Sequence, residues 1–229
     1  MEEKKFVEIR KNEFNIKQFV KKMFGMGKIS RVKIEYTPVG EKIVIATHKP
    51  GWIIGKKGEK IASLTDILKK KFKMENPHVD IEEISHPDFD AQLVADDIAL
   101  TLERFGSMKY KSASYKALSK IKVAGALGAE LRLGGRLPSE RAKSWRFAFG
   151  YLMKTGDSSN LVDRAEAVAK TKQGVVGIKV AILSPGVKMI DQIDVNEELI
   201  NQIKQNVAFS KEPEQKALKK TKKKKIEAE

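Results

Sequence analysis

The 229-residue sequence contains no cysteine, and this absence excludes several kinds of chemistry. Without cysteine there can be no disulfide, no thiolate zinc site and no cysteine nucleophile. Histidine is scarce as well, because only His48, His78 and His86 occur and no two of them have the spacing of a metal-binding pair. No nucleophile-elbow motif is present. We therefore predict that the chain is not an enzyme and that it needs no metal or cofactor.

Long hydrophobic runs are also missing. No segment approaches the roughly 20 apolar residues that a membrane-spanning helix needs, and the opening MEEKKFVEIRKNEF lacks the apolar core of a signal peptide. No helical pattern pairs a basic face with the bulky apolar anchors of a membrane-surface helix. The sequence thus predicts a soluble cytoplasmic protein without a membrane partner.

What the sequence has in excess is positive charge. It carries 45 Lys and Arg against 30 Asp and Glu, for a net charge of +15. From Arg104 to Lys154, twelve basic residues are opposed only by Glu130 and Glu140. A block this one-sided is typical of a surface that meets an anionic partner, and we predict nucleic acid. The alternative is a merely solvated basic surface.

The first half of the chain predicts the order helix, strand, strand, helix, helix, strand. Helical spacing in NIKQFVKKMFGMG places Ile16, Phe19, Val20 and Met23 on one face. RVKIEY and EKIVIA predict strands around a turn at TPVG, and a short helix follows from Pro50. EKIASLTDILKKKF then predicts a longer helix, and HVDIEEI a third strand.

The second half predicts two or three helices and three or four strands. AQLVADDIALTLERF and KYKSASYKALSKIKVAG predict helices, the second with Tyr110, Ala117, Ile121 and Ala124 on its apolar face. GAELRLGG, WRFAFGY and VVGIKVAIL predict strands, whereas SSNLVDRAEAVAKTKQG predicts a helix that ends at Gly174. Asp90, Asp96, Asp97 and Glu103 are expected to form a solvated face, or one that meets a basic neighbour.

A glycine motif with two lysines lies in HKPGWIIGKKGEKI. Gly55-Lys56-Lys57-Gly58 removes side chains between two helices, where the N-terminus of the second helix can meet phosphates. Lysines add mobile charges, and Ile53, Ile54 and Ile61 are expected to pin both helices to the sheet beside an apolar groove. Gly125–Gly128 and Gly174–Gly177 lack this setting and are interpreted as helix stops. A Walker loop is excluded because three rather than four residues separate Gly51 from Gly55.

The pattern PGWIIGKKGEKI, placed after two strands and before a helix, resembles the type II KH domain. DAQLVADDIALTLE, GAELRLGGRL, RAKSWRFAFGYLMKTGD and QGVVGIKVAIL extend the likeness over residues 15–185, and together they resemble the ribosomal protein S-three family, closer to its archaeal and eukaryotic members. The resemblance implies an α+β fold of two α/β domains, the second a sandwich with a mainly antiparallel sheet. The implied segments are an N-terminal arm (1–15), a type II KH domain (16–86), a C-terminal α/β ribosomal domain (87–190) and an extension with a lysine-rich, disordered tail (191–229).

The resemblance also implies a function. Members of the family are structural constituents of the small-subunit head that bind rRNA and help to line the mRNA entry channel during translation. The implied partners are rRNA of the head (3′ domain), mRNA and neighbouring proteins of the S-ten and S-fourteen families in the cytoplasmic ribosome. In relatives, basic side chains on the helix after LER face mRNA. By alignment these positions fall on Lys111, Ser112 and Tyr115 or Lys116, with Ser112 in place of the usual arginine.

RNA contact is therefore predicted for three groups of residues. They are Gly55, Lys56, Lys57, Gly58 and Lys60 around the glycine loop; Lys109, Lys111, Lys116 and Lys120 on the helix; and Arg132, Arg136, Arg141, Lys143 and Arg146 in the sheet region. Trp145 and Phe147 are interpreted as core residues, with base stacking as the alternative. Two other functions stay open: a free-standing KH regulator of RNA, and a DNA-repair lyase that acts through a lysine Schiff base.

Overall fold

A computed structural model describes residues 2–38, 40–72, 74, 76–139, 141–187, 200 and 203. Glu140 and almost all of the predicted extension, including its lysine-rich tail, lie outside the described residues. The described residues up to 187 belong to one compact unit.

The first half has the predicted order of elements around a three-stranded sheet. Its elements are α1 (Glu2–Phe24), β1 (Ile29–Thr37), β2 (Gly40–Thr47), α2 (Pro50–Ile54), α3 (Glu59–Phe72) and β3 (His78–Glu83). The strand order is β1-β2-β3; β1 pairs antiparallel with β2, whereas β3 runs parallel to β2. A 3-10 turn, Lys56–Gly58, separates α2 from α3.

The core of this half lies between the sheet and the two longer helices. Ile43 and Ile45 alternate along β2, and Leu64 and Leu68 lie one turn apart on α3, all with no exposed surface. Helix α1 is longer than predicted, and its buried apolar residues, Ile16, Val20 and Phe24, recur every fourth residue. The prediction that Met23 faces the core is wrong, because this spacing turns Met23 outward and Phe24 inward.

The second half is a two-layer α/β sandwich. Its elements are α4 (Ala91–Phe105), α5 (Tyr110–Val123), β4 (Gly128–Gly135), β5 (Lys143–Gly150), β6 (Asp163–Thr171) and β7 (Gly174–Leu183). The strands are antiparallel throughout, in the order β5-β4-β7-β6. Both helices pack on one face of this sheet, over a core that includes Leu102, Ile121, Leu131 and Ile178. The predicted fold class is thereby confirmed.

The predicted helix over SSNLVDRAEAVAKTKQG is wrong, because most of this segment is strand β6. Ala165, Ala167 and Ala169 alternate toward the core, which is the period of a strand. Their high helix propensity misled the prediction, since burial at period two outweighs propensity. Gly174 begins β7 opposite Thr171 in a hairpin, so the Gly174–Gly177 motif follows a strand rather than a helix.

The predicted solvated acidic face is wrong for Asp96. Its buried carboxylate accepts hydrogen bonds from the Gly27 N–H and from Gln92 Nε2, each at 2.9 Å. Burial raises the pKa of Asp96, against the hydrogen bonds that it accepts. Asp90 caps α4 through the Gln92 and Leu93 N–H groups and accepts a hydrogen bond from the Ser30 hydroxyl. Because Gly27 and Ser30 belong to the first half, these carboxylates join the two halves.

The predicted apolar face of α5 holds except at its end. Tyr110, Ala117 and Ile121 are buried, whereas Ala124 is exposed because the helix ends at Val123.

Candidate nucleic-acid interface

The bend Gly55–Gly58 joins α2 to α3 through backbone that is left-handed at three of its four residues. Gly55 has φ 72°, Lys57 has φ 52° and Gly58 has φ 80°. Lys57 is the one non-glycine with positive φ in the described part of the chain. Such a conformation costs a lysine roughly 1 kcal/mol, and strain of this kind is concentrated at functional sites.

The bend is open to solvent. The Lys56 and Lys57 side chains are exposed, and a Cβ added at Gly58 would meet no atom within 4 Å. The first turn of α3 begins at Glu59, directly after the bend, so the positive end of the helix dipole lies beside the two lysines. This arrangement lets a polyanion approach the main chain.

Lys60 is exposed like the two loop lysines, but its amine is bound to the main chain. Its Nζ donates a hydrogen bond to the Trp52 carbonyl at 3.2 Å, and its Cγ would lie 2.8 Å from a Cβ added at Gly55. Glycine at position 55 is therefore needed to fit the Lys60 side chain. Phosphate contact by Lys60 stays a prediction.

The three isoleucines around the bend have different surroundings. Ile53 is fully buried and anchors α2 in the core, and Ile61 is half-buried. Ile54 is 38% exposed, so the prediction that it pins α2 to the sheet is wrong. An exposed apolar side chain instead lies directly before Gly55, where a base can contact it.

Trp52 belongs to this region and was missed in the sequence. Its ring is 55% exposed, and the Nζ of Lys28 lies 4.9 Å from the ring centre. Lys28, Lys49 and Trp52 line a cavity of about 400 Å³ that also includes Asp97 and Lys120 of the second half. An aromatic residue between lysines beside a glycine loop is the signal that could have identified it.

The four candidate lysines on and next to α5 are all exposed. Lys109 Nζ lies 4.6 Å from the Phe105 ring centre, and Lys111 Nζ lies 4.8 Å from that of Trp145. Lys120 makes a long ion pair of 3.8 Å with Asp97, while Lys116 is also exposed. Lys109, Lys116 and Lys120 therefore lie along one side of α5, whereas Lys111 lies on a different side, beside Trp145. Of these four accessible cations, Lys109 and Lys111 lie over aromatic rings.

In the sheet region, Arg132 and Arg146 are not free. Both contact the carboxylate of Glu130, and Lys154 Nζ contacts it at 2.9 Å. Burial acts to raise the pKa of Glu130, but the hydrogen bonds from Lys154, Arg132 and Arg146 together outweigh it and lower the pKa to about 2. Lys154 was not predicted from sequence, because its contact depends on the loop after β5.

The remaining candidates of this region are exposed surface residues, namely Arg136, Arg141 and Lys143. Phe147 is buried, so its assignment to the core is confirmed, whereas Trp145 is 39% exposed and the core assignment is wrong for it. Trp145 packs its ring against Tyr110 at 5.8 Å between centres.

The structure does not gather the predicted residues into one site. The glycine bend lies in the first half. The lysines of α5 lie on the helical side of the second sheet, while Arg132 and Arg146 lie on the side that the helices leave uncovered. Within the described ranges, no three His, Cys, Asp or Glu side chains cluster so as to hold a metal ion. In the same ranges, no helix is long and apolar enough to cross a membrane.

Comparison with known proteins agrees with this architecture. Residues 15–89 match the family model of the KH domain, and residues 98–182 match that of "Ribosomal protein S3, C-terminal domain". The predicted boundaries at residues 15, 86 and 190 stay predictions.

Curated relatives match over most of the chain. The "Small ribosomal subunit protein uS3" of Methanocaldococcus jannaschii is 37% identical over 199 residues, 86% of this chain and 95% of the relative. The proteins of the same name from Archaeoglobus fulgidus and Methanococcus maripaludis are 36% and 31% identical, over 88% and 92% of this chain and 87% and 98% of their own lengths. The chain therefore belongs to the ribosomal protein S3 family, the S-three family that its sequence motifs predict.

Proposed function

We propose that this protein is a structural, RNA-binding constituent of the small ribosomal subunit in the cytoplasm. The relatives that match it almost from end to end are named as small-subunit proteins, and none of those cited is named as an enzyme. Within the subunit we place it in the head, bound to rRNA of the 3′ domain, where it helps to line the mRNA entry channel. The observation that carries the RNA contact is the open, cationic bend at the start of α3.

The bend binds RNA by bringing phosphates close to the main chain. Gly58 leaves room above the backbone, the α3 dipole favours negative charge there, and Lys56 and Lys57 each neutralise a phosphate. Bases then lie against exposed apolar surface such as Ile54. Because these contacts read the sugar-phosphate backbone, they position RNA rather than specify its sequence.

The lysines of α5 are proposed to contact mRNA. Lys109, Lys111, Lys116 and Lys120 are exposed on one helical region, and two of them lie over aromatic rings, which keeps the cations on the surface. Lys111 occupies one of the three aligned mRNA-facing positions. Neither Ser112 nor Tyr115 supplies a charge, so Lys116 and Lys120 provide it from the adjacent turn.

Contacts with neighbouring proteins, of the S-ten and S-fourteen families, are proposed for the first half of the chain. Phe6, Val7 and Phe14 of α1 are each more than half exposed. Large apolar side chains in such positions are typical of a protein interface.

The two other functions that the sequence leaves open receive no support from the cited relatives, which are named as ribosomal proteins and not as enzymes. A free-standing KH regulator does not need the second domain, yet the relatives match over both halves.

Sedimentation of native extract through a sucrose gradient tests the ribosomal assignment. We expect nearly all of the protein to sediment with small subunits and larger ribosomal particles, and finding most of it at the top of the gradient would contradict the assignment.

The contact at the bend is tested by reversing its charge. We expect Lys56→Asp with Lys57→Asp to weaken binding of a labelled 20-nucleotide single-stranded RNA, because two phosphate contacts are lost. The slope of log affinity against log salt should decrease in magnitude by about 1.4. Fluorescence anisotropy between 50 and 300 mM salt provides the measurement.

The matched control is Lys4→Asp with Lys5→Asp. These two adjacent lysines are exposed on the first turn of α1, and the double change alters the net charge by the same amount. We expect the control to keep most of the affinity and the wild-type slope. Equal losses in the two variants would show that only net charge matters and that the bend is not a binding site.

A further inference from the structure

The second sheet has one face that no described helix or strand covers, and we name it the open sheet face. Both helices pack against the other side, whose residues form the core. The cross-strand register gives the open sheet face three central rows across all four strands. Written from β5 through β4 and β7 to β6, they are Ser144, Gly134, Gly177 and Val168; Arg146, Arg132, Lys179 and Glu166; and Ala148, Glu130, Ala181 and Arg164.

The middle row places three cations side by side. Arg146, Arg132 and Lys179 are direct partners on three adjacent strands, and their side chains are 56%, 57% and 69% exposed. Neighbouring strands lie about 4.8 Å apart, and like charges directly opposite one another destabilise a sheet. The repulsion between these cations brings no benefit to a surface that is merely solvated, whereas a bound anionic ligand reduces it.

The acidic residues of the face offset only part of this charge. Glu130 is shared by Arg132, Arg146 and Lys154, and Glu166 accepts a hydrogen bond from Lys179 at 2.7 Å. Arg164 adds a further cation beside a hollow of about 350 Å³ that Lys154 and Lys179 also line. The five cations around two carboxylates leave an excess of positive charge in a shallow depression.

Two glycines next to the cations, Gly134 and Gly177, are required neither by packing nor by a positive φ. A Cβ added at Gly134 would meet nothing within 4 Å, and one at Gly177 would meet only the Gly134 carbonyl oxygen, at an ordinary 3.7 Å. Neither glycine has positive φ. Glycine weakens a strand interior, and one that neither packing nor a positive φ requires is typical of a site that a ligand approaches closely. Gly134 and Gly177 pair directly, so they form one bare strip of main chain.

We propose that the open sheet face binds the phosphodiester backbone of an RNA strand, which crosses β5, β4 and β7 along the bare strip of Gly134 and Gly177. Arg146, Arg132 and Lys179 bind its phosphates. This inference rests on the proposed RNA-binding function and adds a second contact surface, on the side of the sheet opposite α5. The second domain thus holds RNA on two faces.

Charge and composition favour RNA over an acidic protein. Phosphate contacts need cations and open main chain, whereas a protein interface also needs an apolar centre. On this face the exposed large apolar side chains are Val168 and Val175, which lie near each other at the β6–β7 edge, whereas the centre of the three rows consists of glycine, alanine and charged residues.

The first test fills the bare strip. Gly134→Val should leave the thermal midpoint unchanged or higher, because valine suits a strand and has free space. It should weaken binding of the full-length protein to the same 20-nucleotide RNA by about fivefold, and Gly134→Ala should have an intermediate effect. If Gly134 had only a structural role, a Gly134→Val protein as stable as the wild type would bind RNA with the wild-type affinity. Undiminished RNA binding by a stable Gly134→Val protein would overturn the proposal.

The second test removes charge. Arg132→Gln with Lys179→Gln should lower the magnitude of the salt slope by about 1.4. The control, Lys122→Gln with Lys172→Gln, removes two exposed cations outside the face and should leave the slope unchanged. A parallel titration uses labelled poly-glutamate. If Arg132→Gln with Lys179→Gln loses poly-glutamate binding but binds RNA as tightly as the wild type, the proposal is overturned in favour of an acidic protein partner.

The two proposals fail separately in this assay. If the bend does not bind RNA, the Lys56/Lys57 variant loses no more affinity than its Lys4/Lys5 control, while the open-sheet-face variants still weaken binding. If the open sheet face does not bind RNA, only the bend variant is affected.

Discussion

Gly128→Ala is expected to lower the free energy of unfolding by about 3 kcal/mol, because the new methyl group has no space. A Cβ at this position would lie 1.9 Å from the Tyr151 carbonyl oxygen and 2.8 Å from the Tyr151 nitrogen. Gly128 begins β4 opposite Gly150, and the Tyr151 N–H donates to the Leu127 carbonyl at 3.1 Å. Main chain cannot rotate away as a side chain does, so β5 must shift and this end of the sheet loses its pairing. Urea denaturation at 25 °C measures the loss.

Gly125→Ala is the matched control, from the other end of the same motif. Gly125 has φ 94°, and a Cβ there would meet no atom within 4 Å. The alanine variant should therefore lose only roughly 1 kcal/mol of unfolding free energy, which is the cost of placing alanine at a left-handed φ. Equal and small losses in the two variants would show that β4 and β5 can separate at Gly128, contrary to the close approach in the structure.

The three glycine motifs show what local sequence can and cannot predict. Lysines inside Gly55–Gly58 and a helix after it predicted an exposed bend, and the structure has one. The sequence also correctly placed a helix end before Gly128. It could not show that Gly128 is required by the backbone of a different strand, because such contacts depend on strand pairing rather than on neighbours in the chain.

Strand β6 shows how propensity and periodicity can conflict. Alanine at 165, 167 and 169 favours a helix by propensity, yet the same residues alternate with Arg164, Glu166, Val168 and Lys170 at the period of a strand. Small side chains fit where β6 packs under α4. The local sequence does not show that α4 packs on this segment, because that contact belongs to the tertiary structure.

The sequence predicted individual basic residues of the candidate interface, but it did not predict how they group into surfaces. Charge excess identified Arg132 and Arg146, whereas Lys154 and Lys179 join them only through pairing register and a loop. In the same way, Asp96 was interpreted as a surface acid because its acceptor role toward Gly27 spans 69 residues. Contacts between residues far apart in sequence leave no pattern in one sequence.

Glu130→Gln is expected to lower stability at neutral pH by about 2 kcal/mol. Its carboxylate is 6% exposed because three cationic side chains cover it, and the isosteric amide would leave those cations to repel one another. The value lies below that for a fully buried pair because the cations themselves are about half exposed, and solvent screens them. Glu166→Gln is the control on the same face. Among the described residues Glu166 forms an ion pair with Lys179 alone and is 71% exposed, so this substitution should cost less than ~0.5 kcal/mol.

The pH dependence of the Glu130 effect separates charge from packing. The pKa of Glu130 is lowered from 4.5 to about 2 by folding, so the native state binds fewer protons than the unfolded state between these values. The stabilisation is therefore complete above about pH 5.5 and is lost as the pH falls toward 2. The difference in unfolding free energy between wild type and Glu130→Gln should be constant from pH 7 to about 5.5 and shrink steadily at lower pH. Subtracting the two proteins cancels the other carboxylates, which titrate in both. A difference that stays constant down to pH 3 would mean that the amide side chain fails by shape or hydrogen bonding, and that the three cations do not depend on the charge beneath them.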